Sequence, residues 1–213
     1  MNVQTLKRIF VQIRDALIAN KQLLTELDSI AGDGDLGISM EQGFEAVCRY
    51  MLECDEQDIG KLLVKSGMVL NGAAPSTMGT ILSVGMMSGG KKLAGVQDMH
   101  MSEALLFFDS ALEGIMNRAH SKRGDKTILD ALIPAYEAMR DAAKDGDTVA
   151  SLQAAADAAH AGMISTIPMK AVHGRAAYYA EESANHQDGG ATVGSIILAA
   201  VAKAVKECAV ESA

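Results

Sequence analysis

The segment DSIAGDGDLG sets Asp28, Asp33 and Asp35 within eight residues, among three glycines. Carboxylates crowded in this way repel one another unless something positive sits among them. Three of them suit a hard divalent cation, because magnesium takes oxygen ligands and fills the rest of its shell with water or phosphate oxygens. The glycines permit a turn tight enough for the carboxylates to converge. The spacing departs from the calcium-binding EF-hand: Gly37 falls at the next oxygen position, and the later glutamate is missing. An ordinary acidic turn, with one aspartate capping a helix that begins near Ile38, is the alternative.

Three further stretches have the composition of ligand loops. NGAAPS, residues 71–76, is rich in small residues and leads into a helix, where backbone N–H groups can hold phosphate. It reads equally as a plain helix-to-helix turn. GDKT, residues 124–127, is another helix entry, with Asp125 either a cap or part of a site. In the long run from 167 to 190, Arg175 offers a fork of donors to a phosphate or pairs with Glu181 or Glu182. HQDGG, residues 186–190, precedes the last helix, and its Asp188 either orients a ligand or caps that helix. No GxxxxGK[ST] phosphate loop is present.

His173 and His186 are the histidines near these loops, and imidazole suits proton transfer near neutral pH. A solvated loop histidine is the plainer reading of each, so neither is assigned a catalytic role. His100, His120 and His160 read as structural or exposed. Cys48, Cys54 and Cys208 are odd in number and lack metal-ligand spacing, which reads as buried thiols in a reducing compartment.

The elements that must position these loops are helices. Apolar residues make up 49% of the chain but aromatics only 4%, so Ala, Leu and Met, good helix formers, carry the core. Leu6, Ile9, Phe10, Ile13 and Leu17 mark one face of a first helix over about 3–27. Met40, Phe44, Val47 and Met51 mark a second; Leu62, Leu63, Met68, Val69 and Leu70 lie on a third; a fourth begins near Ser76. Leu105, Phe108, Leu112, Ile115 and Met116 mark a fifth, and Ile128, Leu132, Ala135 and Met139 a sixth. Residues 149–166 form a seventh and 192–205 the last, with a short helical piece at 174–182. No run alternates as a strand would.

Antiparallel neighbours put alternate connections at one end of such a bundle. The connections at 28–37, 71–76, 121–125 and 167–190 then share one end and hold nearly all the unusual residues. Those at 54–57, 89–100 and 145–148 share the other end and are ordinary. A site built by four loops at one end is the expectation. A net charge of −8 without a basic run disfavours nucleic acid and anionic membrane surfaces. No apolar run approaches the roughly 18 residues of a membrane span. The N-terminal segment reads as a helix, without the small-residue cleavage site of a signal peptide.

Residues 28–40, DSIAGDGDLGISM, resemble the magnesium loop of the dihydroxyacetone kinase L subunit, also called the Dak2 or nucleotide-binding domain. Residues 124–131, GDKTILDA, and 174–194, GRAAYYAEESANHQDGGATVG, resemble two more of that family's blocks, in order along nearly the whole chain. The resemblance implies a single all-α domain over 1–213, a barrel of eight up-and-down antiparallel helices with the site at one end. It implies that Asp28, Asp33 and Asp35 hold two magnesium ions that bridge the phosphates of ADP or ATP. Nucleotide contacts carried over from the family fall on Leu36, Gly37, Ser39 and Met40, and on Gly72, Ala73, Ala74, Ser76 and Thr77. They continue on Gly124, Asp125 and Ile128, and on Arg175, Asp188 and Gly189.

The implied reaction is phosphoryl transfer to a small ketose or polyol, driven by positioning and charge neutralisation. The sugar would sit on a separate K subunit, held through a histidine of that other chain, so this chain alone is not expected to phosphorylate it. The donor is either exchangeable ATP, or bound ADP recharged by a phosphoprotein of the phosphotransferase system, the M subunit. A cytoplasmic location goes with this reading, and a homodimer is a further assembly to consider. Two positions depart from the family pattern: Leu36 stands where a histidine is usual, and Ala74 where a serine would touch phosphate, with Ser76 or Thr77 as stand-ins. Both lie at the phosphate end and suggest a paralogue acting on another triose or tetrose. The rival readings are a nucleotide-state sensor that binds a transcriptional regulator, and a helical interaction domain whose aspartates bind no metal.

Overall fold

The structure, a computed structural model, describes residues 1–211. Among these residues every regular element is helical. The α-helices are α1 (Val3–Ala19), α2 (Lys21–Ala31), α3 (Leu36–Glu53), α4 (Ile59–Ala73) and α5 (Thr77–Lys92). They continue with α6 (Met101–Ala119), α7 (Leu129–Ala142), α8 (Thr148–Ser165), the single turn α9 (Ala180–Ser183) and α10 (Gly189–Glu211). Two short 3-10 turns lie at Ala143–Asp145 and Arg175–Tyr179.

Eight of these helices close a ring. From α3 to α8 each helix packs on the next, α8 packs on α10, and α10 returns to α1, which packs on α3. The ring is sealed by apolar stripes at helical spacing. Leu6, Ile9, Phe10, Ile13 and Leu17 of α1 are all buried, as are Met40, Phe44, Val47 and Met51 of α3. Burial of such side chains contributes about 1.5–3 kcal/mol each before the entropy of ordering is counted. Where helices touch most closely, glycine removes the side chain. Gly60 of α4 lies against the backbone of Leu93 after α5, and Gly162 of α8 lies against the Asp130 carbonyl of α7. That carbonyl lacks its usual helical donor, because the residue four places on is Pro134, which has no N–H.

Three expectations need correction. The first helix does not run unbroken to residue 27. Asn20 adopts φ −104°, ψ 10°, and its side chain donates to the Ala16 carbonyl at 2.8 Å, competing with the helical ladder and separating α1 from α2. Met68 of α4 and Met116 of α6 lie on helices but face solvent, at 58% and 36% exposed. Of the cysteines only Cys48 is buried; Cys54 and Cys208 are partly exposed, and none forms a disulfide.

The end of the ring that carries the chain start is tied down by polar contacts. The Met1 ammonium donates to Met99 O at 2.9 Å, and Lys7 Nζ to Cys54 O at 2.7 Å. No helix among the described residues is long and apolar enough to cross a membrane.

Candidate functional site

At the other end of the ring opens a cleft of about 1020 Å³. Its walls draw on all four of the connections that alternation places together: Asp28–Leu36, Asn71 and Pro75–Ser76, Ser121, and His173–Gly189. Helices α3, α5, α7 and α10 all begin here, at Leu36, Thr77, Leu129 and Gly189. Four helix N-termini facing one cavity make it receptive to anions, since each carries partial positive charge and N–H groups without helical acceptors.

One wall is acidic. Asp28, Asp33 and Asp35 each bring a carboxylate oxygen within 4.8 Å of the others. Asp28 organises the turn: its Oδ2 accepts the Asp35 N–H at 3.0 Å and the Leu36 N–H at 3.4 Å, so it caps α3 from seven residues upstream. Asp35 stands at the cap position but makes no capping bond with its side chain. Its carboxyl is raised by burial and by its neighbours Asp33 and Asp28, with Arg175 opposing. Gly34, at φ +73°, makes the reversal that L side chains resist. Arg175 Nη2 pairs with Asp33 Oδ2 at 3.1 Å, and Lys170 takes Glu181 instead. Three oxygen donors so close, with one exposed guanidinium as their counter-charge, fit a divalent cation by donor chemistry and by unbalanced charge.

The other walls are polar and locally closed. Ser76 Oγ caps α5 by accepting the Gly79 N–H at 3.1 Å. Asp130, 2% exposed, holds the GDKT turn by accepting from Gly124 N at 2.6 Å and Thr127 N at 2.8 Å. Asp125 accepts from Lys122 and lies 2.9 Å from His173 Nε2. Burial alone would raise the Asp125 carboxyl; the hydrogen bonds of Lys122 and His173 outweigh it and hold it at about 2. The His186 carbonyl accepts from Lys126 Nζ at 2.6 Å.

Asp188 caps the last helix, accepting the Ala191 N–H at 2.7 Å, while its own N–H donates to Thr166 Oγ1 at 2.9 Å. Burial pushes its carboxyl up to about 6, against the opposing Ala191 N–H and Lys126 charge. The folded protein therefore holds this proton more tightly than an unfolded chain, and stability is lost as pH rises from about 4 through 6. Asp188→Asn keeps a capping oxygen without the charge. It is expected to raise Tm at pH 7.5 by roughly 5 °C and to leave it unchanged at pH 4, read by scanning calorimetry at both values. Equal shifts at the two pH values would show that ionisation is not the cause.

The sequence-predicted residues divide into two groups. Asp28, Asp33, Asp35, Leu36, Ser76, Thr77, Ile128, Arg175, Asp188 and Gly189 line the cleft together. Gly37, Ser39, Met40, Gly72, Ala73, Ala74, Gly124 and Asp125 do not. Met40 and Ala74 are fully buried in the core. Gly37 packs against the Lys21 carbonyl of α2, and Ser39 is 7% exposed. Asp125 is occupied by Lys122 and His173, behind the wall. Lys126 and Thr127 of the GDKT stretch and Ser121 of the 121–125 connection also line the cleft, and so do Arg118 and His120, which were not among the expected contacts. Residues 118–120 directly precede the 121–125 connection at this end of the bundle, which is the signal that points to Arg118 and His120.

Comparison with known proteins identifies a family and a shared fold. The model of the Dak2 family, described as the DAK2 domain, matches residues 30–203. The chain is 31% identical over 194 residues, covering 91% of it and 92% of the relative, to the PEP-dependent dihydroxyacetone kinase ADP-binding subunit DhaL of Escherichia coli K12. It is 34% identical over 183 residues to the corresponding subunit of kinase 2 of Listeria innocua, covering 84% and 85% of the two chains. It is also 34% identical over 191 residues to the L-erythrulose kinase of Pectobacterium atrosepticum, where it spans 88% of itself but 32% of that longer chain. The fold matches the crystal structure of the C. freundii dihydroxyacetone kinase in complex with AMP-PNP and Mg2+, with TM-score 0.73 at 23% identity, over 92% of this chain and 33% of that one. From these matches and the ring of helices, the chain belongs to the Dak2 family, the family of the ADP-binding L subunits of dihydroxyacetone kinases.

Proposed function

We propose that the cleft binds Mg·ADP or Mg·ATP and that the chain is the nucleotide-bearing, phosphoryl-transferring subunit of a dihydroxyacetone-type kinase. The observation that carries this reading is the meeting of three converging carboxylates with four helix N-termini in one cavity. A cation and a polyanion are thus both accommodated, in the arrangement a metal–phosphate ligand needs. Asp28, Asp33 and Asp35 would hold the metal, taken as two magnesium ions, which when bound offsets phosphate charge. The helix starts at Leu36, Thr77, Leu129 and Gly189 would receive the phosphates, and Arg175 is close enough to the aspartates to reach the same anion. Leu36 is 7% exposed beside Gly189, so it offers shape and not a polar contact at this end; Ser76 and Thr77 are the hydroxyls available there.

Likeness to ADP-binding subunits of dihydroxyacetone kinases supports assigning the ketose to a separate sugar-binding K subunit, with either exchangeable ATP or a phosphotransferase-system phosphoprotein as the ultimate donor. Names of relatives that act on dihydroxyacetone and on L-erythrulose support a triose or tetrose as acceptor. The test is reconstitution. The pure chain with Mg·ATP and dihydroxyacetone is expected to give no sugar phosphate, and addition of a K subunit is expected to start turnover from ATP or from a phosphoprotein donor. Rapid turnover by the single chain would contradict the assignment. Retention of a regulator in place of a K subunit would favour the sensor instead.

A further inference from the structure

Between α8 and α10 the chain leaves the ring and returns, running from Thr166 to Asp188 as a strap across one side of the cleft. Its two feet are held at one point. Lys126 is 5% exposed, and its ammonium donates to Thr166 O at 2.8 Å, Met169 O at 3.1 Å and His186 O at 2.6 Å. An ammonium has three donors, and here three carbonyls accept them. Two of those carbonyls belong to the outgoing foot and one to the returning foot. Asn185 N to Ile167 O at 2.9 Å and Asp188 N to Thr166 Oγ1 at 2.9 Å close the same base.

The strap reaches two other parts of the site. His173 lies on Asp125, and Arg175 lies on Asp33. Lys126 itself sits at φ +59°, a conformation lysine rarely adopts, so the GDKT turn places it against its own preference. Although Lys126 borders the cleft, it has no donor left for a ligand, unlike a phosphate-binding lysine. A buried charge needs partners, and at the end of α8 it also meets the negative pole of the helix.

We propose that Lys126 is a positioning residue: it clamps both feet of the 166–188 strap and thereby sets Arg175 over the aspartate wall before any ligand arrives. The affinity consequence of this clamp rests on the nucleotide reading above; the clamp itself does not. An arginine could not replace it, because a planar fork cannot aim at three carbonyls converging on one atom.

The test compares Lys126→Ala and Lys126→Met with the parent by amide hydrogen exchange without ligand, and by calorimetric titration with Mg·ADP. In both variants amides of 170–184 are expected to exchange at least about tenfold faster, while the buried middle of α4 and α5 keeps its protection. Mg·ADP affinity is expected to fall at least about tenfold, because Arg175 is no longer held in place. Propylamine, which can put an ammonium into the Lys126→Ala cavity, should restore both strap protection and affinity. 1-Propanol, of similar size and uncharged, should restore neither. If Lys126→Ala does not fold, Lys126→Met keeps the side-chain volume and reads the same two quantities.

Unchanged strap exchange in a folded variant would overturn the proposal, as would protection lost equally through the whole molecule. Parent protein that fails to bind Mg·ADP would sink the nucleotide reading and leave the exchange result to decide the clamp. Parent that binds, beside a Lys126 variant with a loosened strap but full affinity, would sink the positioning role alone.

Discussion

Asp35→Asn is expected to lower Mg·ADP affinity at least about 100-fold while leaving the ligand-free protein as stable as its parent or more so. The two effects have opposite signs for one reason. In the absence of a cation the Asp35 carboxyl is raised by burial and by Asp33 and Asp28, so the folded protein holds it at a disadvantage. Its side chain makes no capping bond, and the turn is held by Asp28, so removing the charge disturbs little else. With a divalent ion present the same charge becomes a ligand, and ligand charge count sets affinity over decades. Thermal unfolding of both proteins with EDTA and with Mg·ADP gives both numbers. A variant that is destabilised without ligand yet keeps its response to Mg·ADP would mean that Asp35 is structural.

Gly37→Ala is expected to be destabilising even without ligand, by about 2–3 kcal/mol, equivalent to a Tm lower by roughly 6 °C or more. A Cβ at this position would overlap the Lys21 carbonyl and come within 2.5 Å of Thr25 Oγ1. The threonine side chain can move; the α2 carbonyl cannot without displacing the helix that delivers Asp28. The family resemblance reads Gly37 as a nucleotide contact, whereas its packing makes it the point where α3 crosses the first turn of α2. The two roles separate cleanly in a denaturation experiment on the ligand-free protein. Parent-like stability with lost affinity would favour the contact, and the packing account expects the stability loss first.

The legible part of this fold was the part written in helical periodicity. Leu6, Ile9, Phe10, Ile13 and Leu17 point one way because the α-helix returns every three or four residues, and all five are buried. Alternation of antiparallel helices then brings the four unusual loops to one end, and they do share one cleft. Asp33 and Asp35 were legible as a convergent pair because glycines flank them. What was hidden depends on contacts between residues far apart in sequence. Lys126 looks like any lysine at a helix entry, and its three carbonyl partners lie 40, 43 and 60 residues away. Asp130 sits in the first turn of α7, where acidic residues are common, and its closing of the GDKT turn has no periodic signal. The break at Asn20 falls inside an apolar pattern that continues into α2 at Leu24, so periodicity could not mark it. Ala74 lies in a loop motif by sequence, but as the residue that ends α4 it is fully buried in the core.

The measurement that bears most directly on the central claim is calorimetric titration of the nucleotide-free protein with ADP, once with magnesium and once with EDTA. If three carboxylates and four helix N-termini form one metal–phosphate site, magnesium should raise ADP affinity at least about 100-fold, because without it the aspartates repel the phosphates they are meant to help hold. ADP binding of equal strength with and without magnesium, or no binding in either case, would contradict the account.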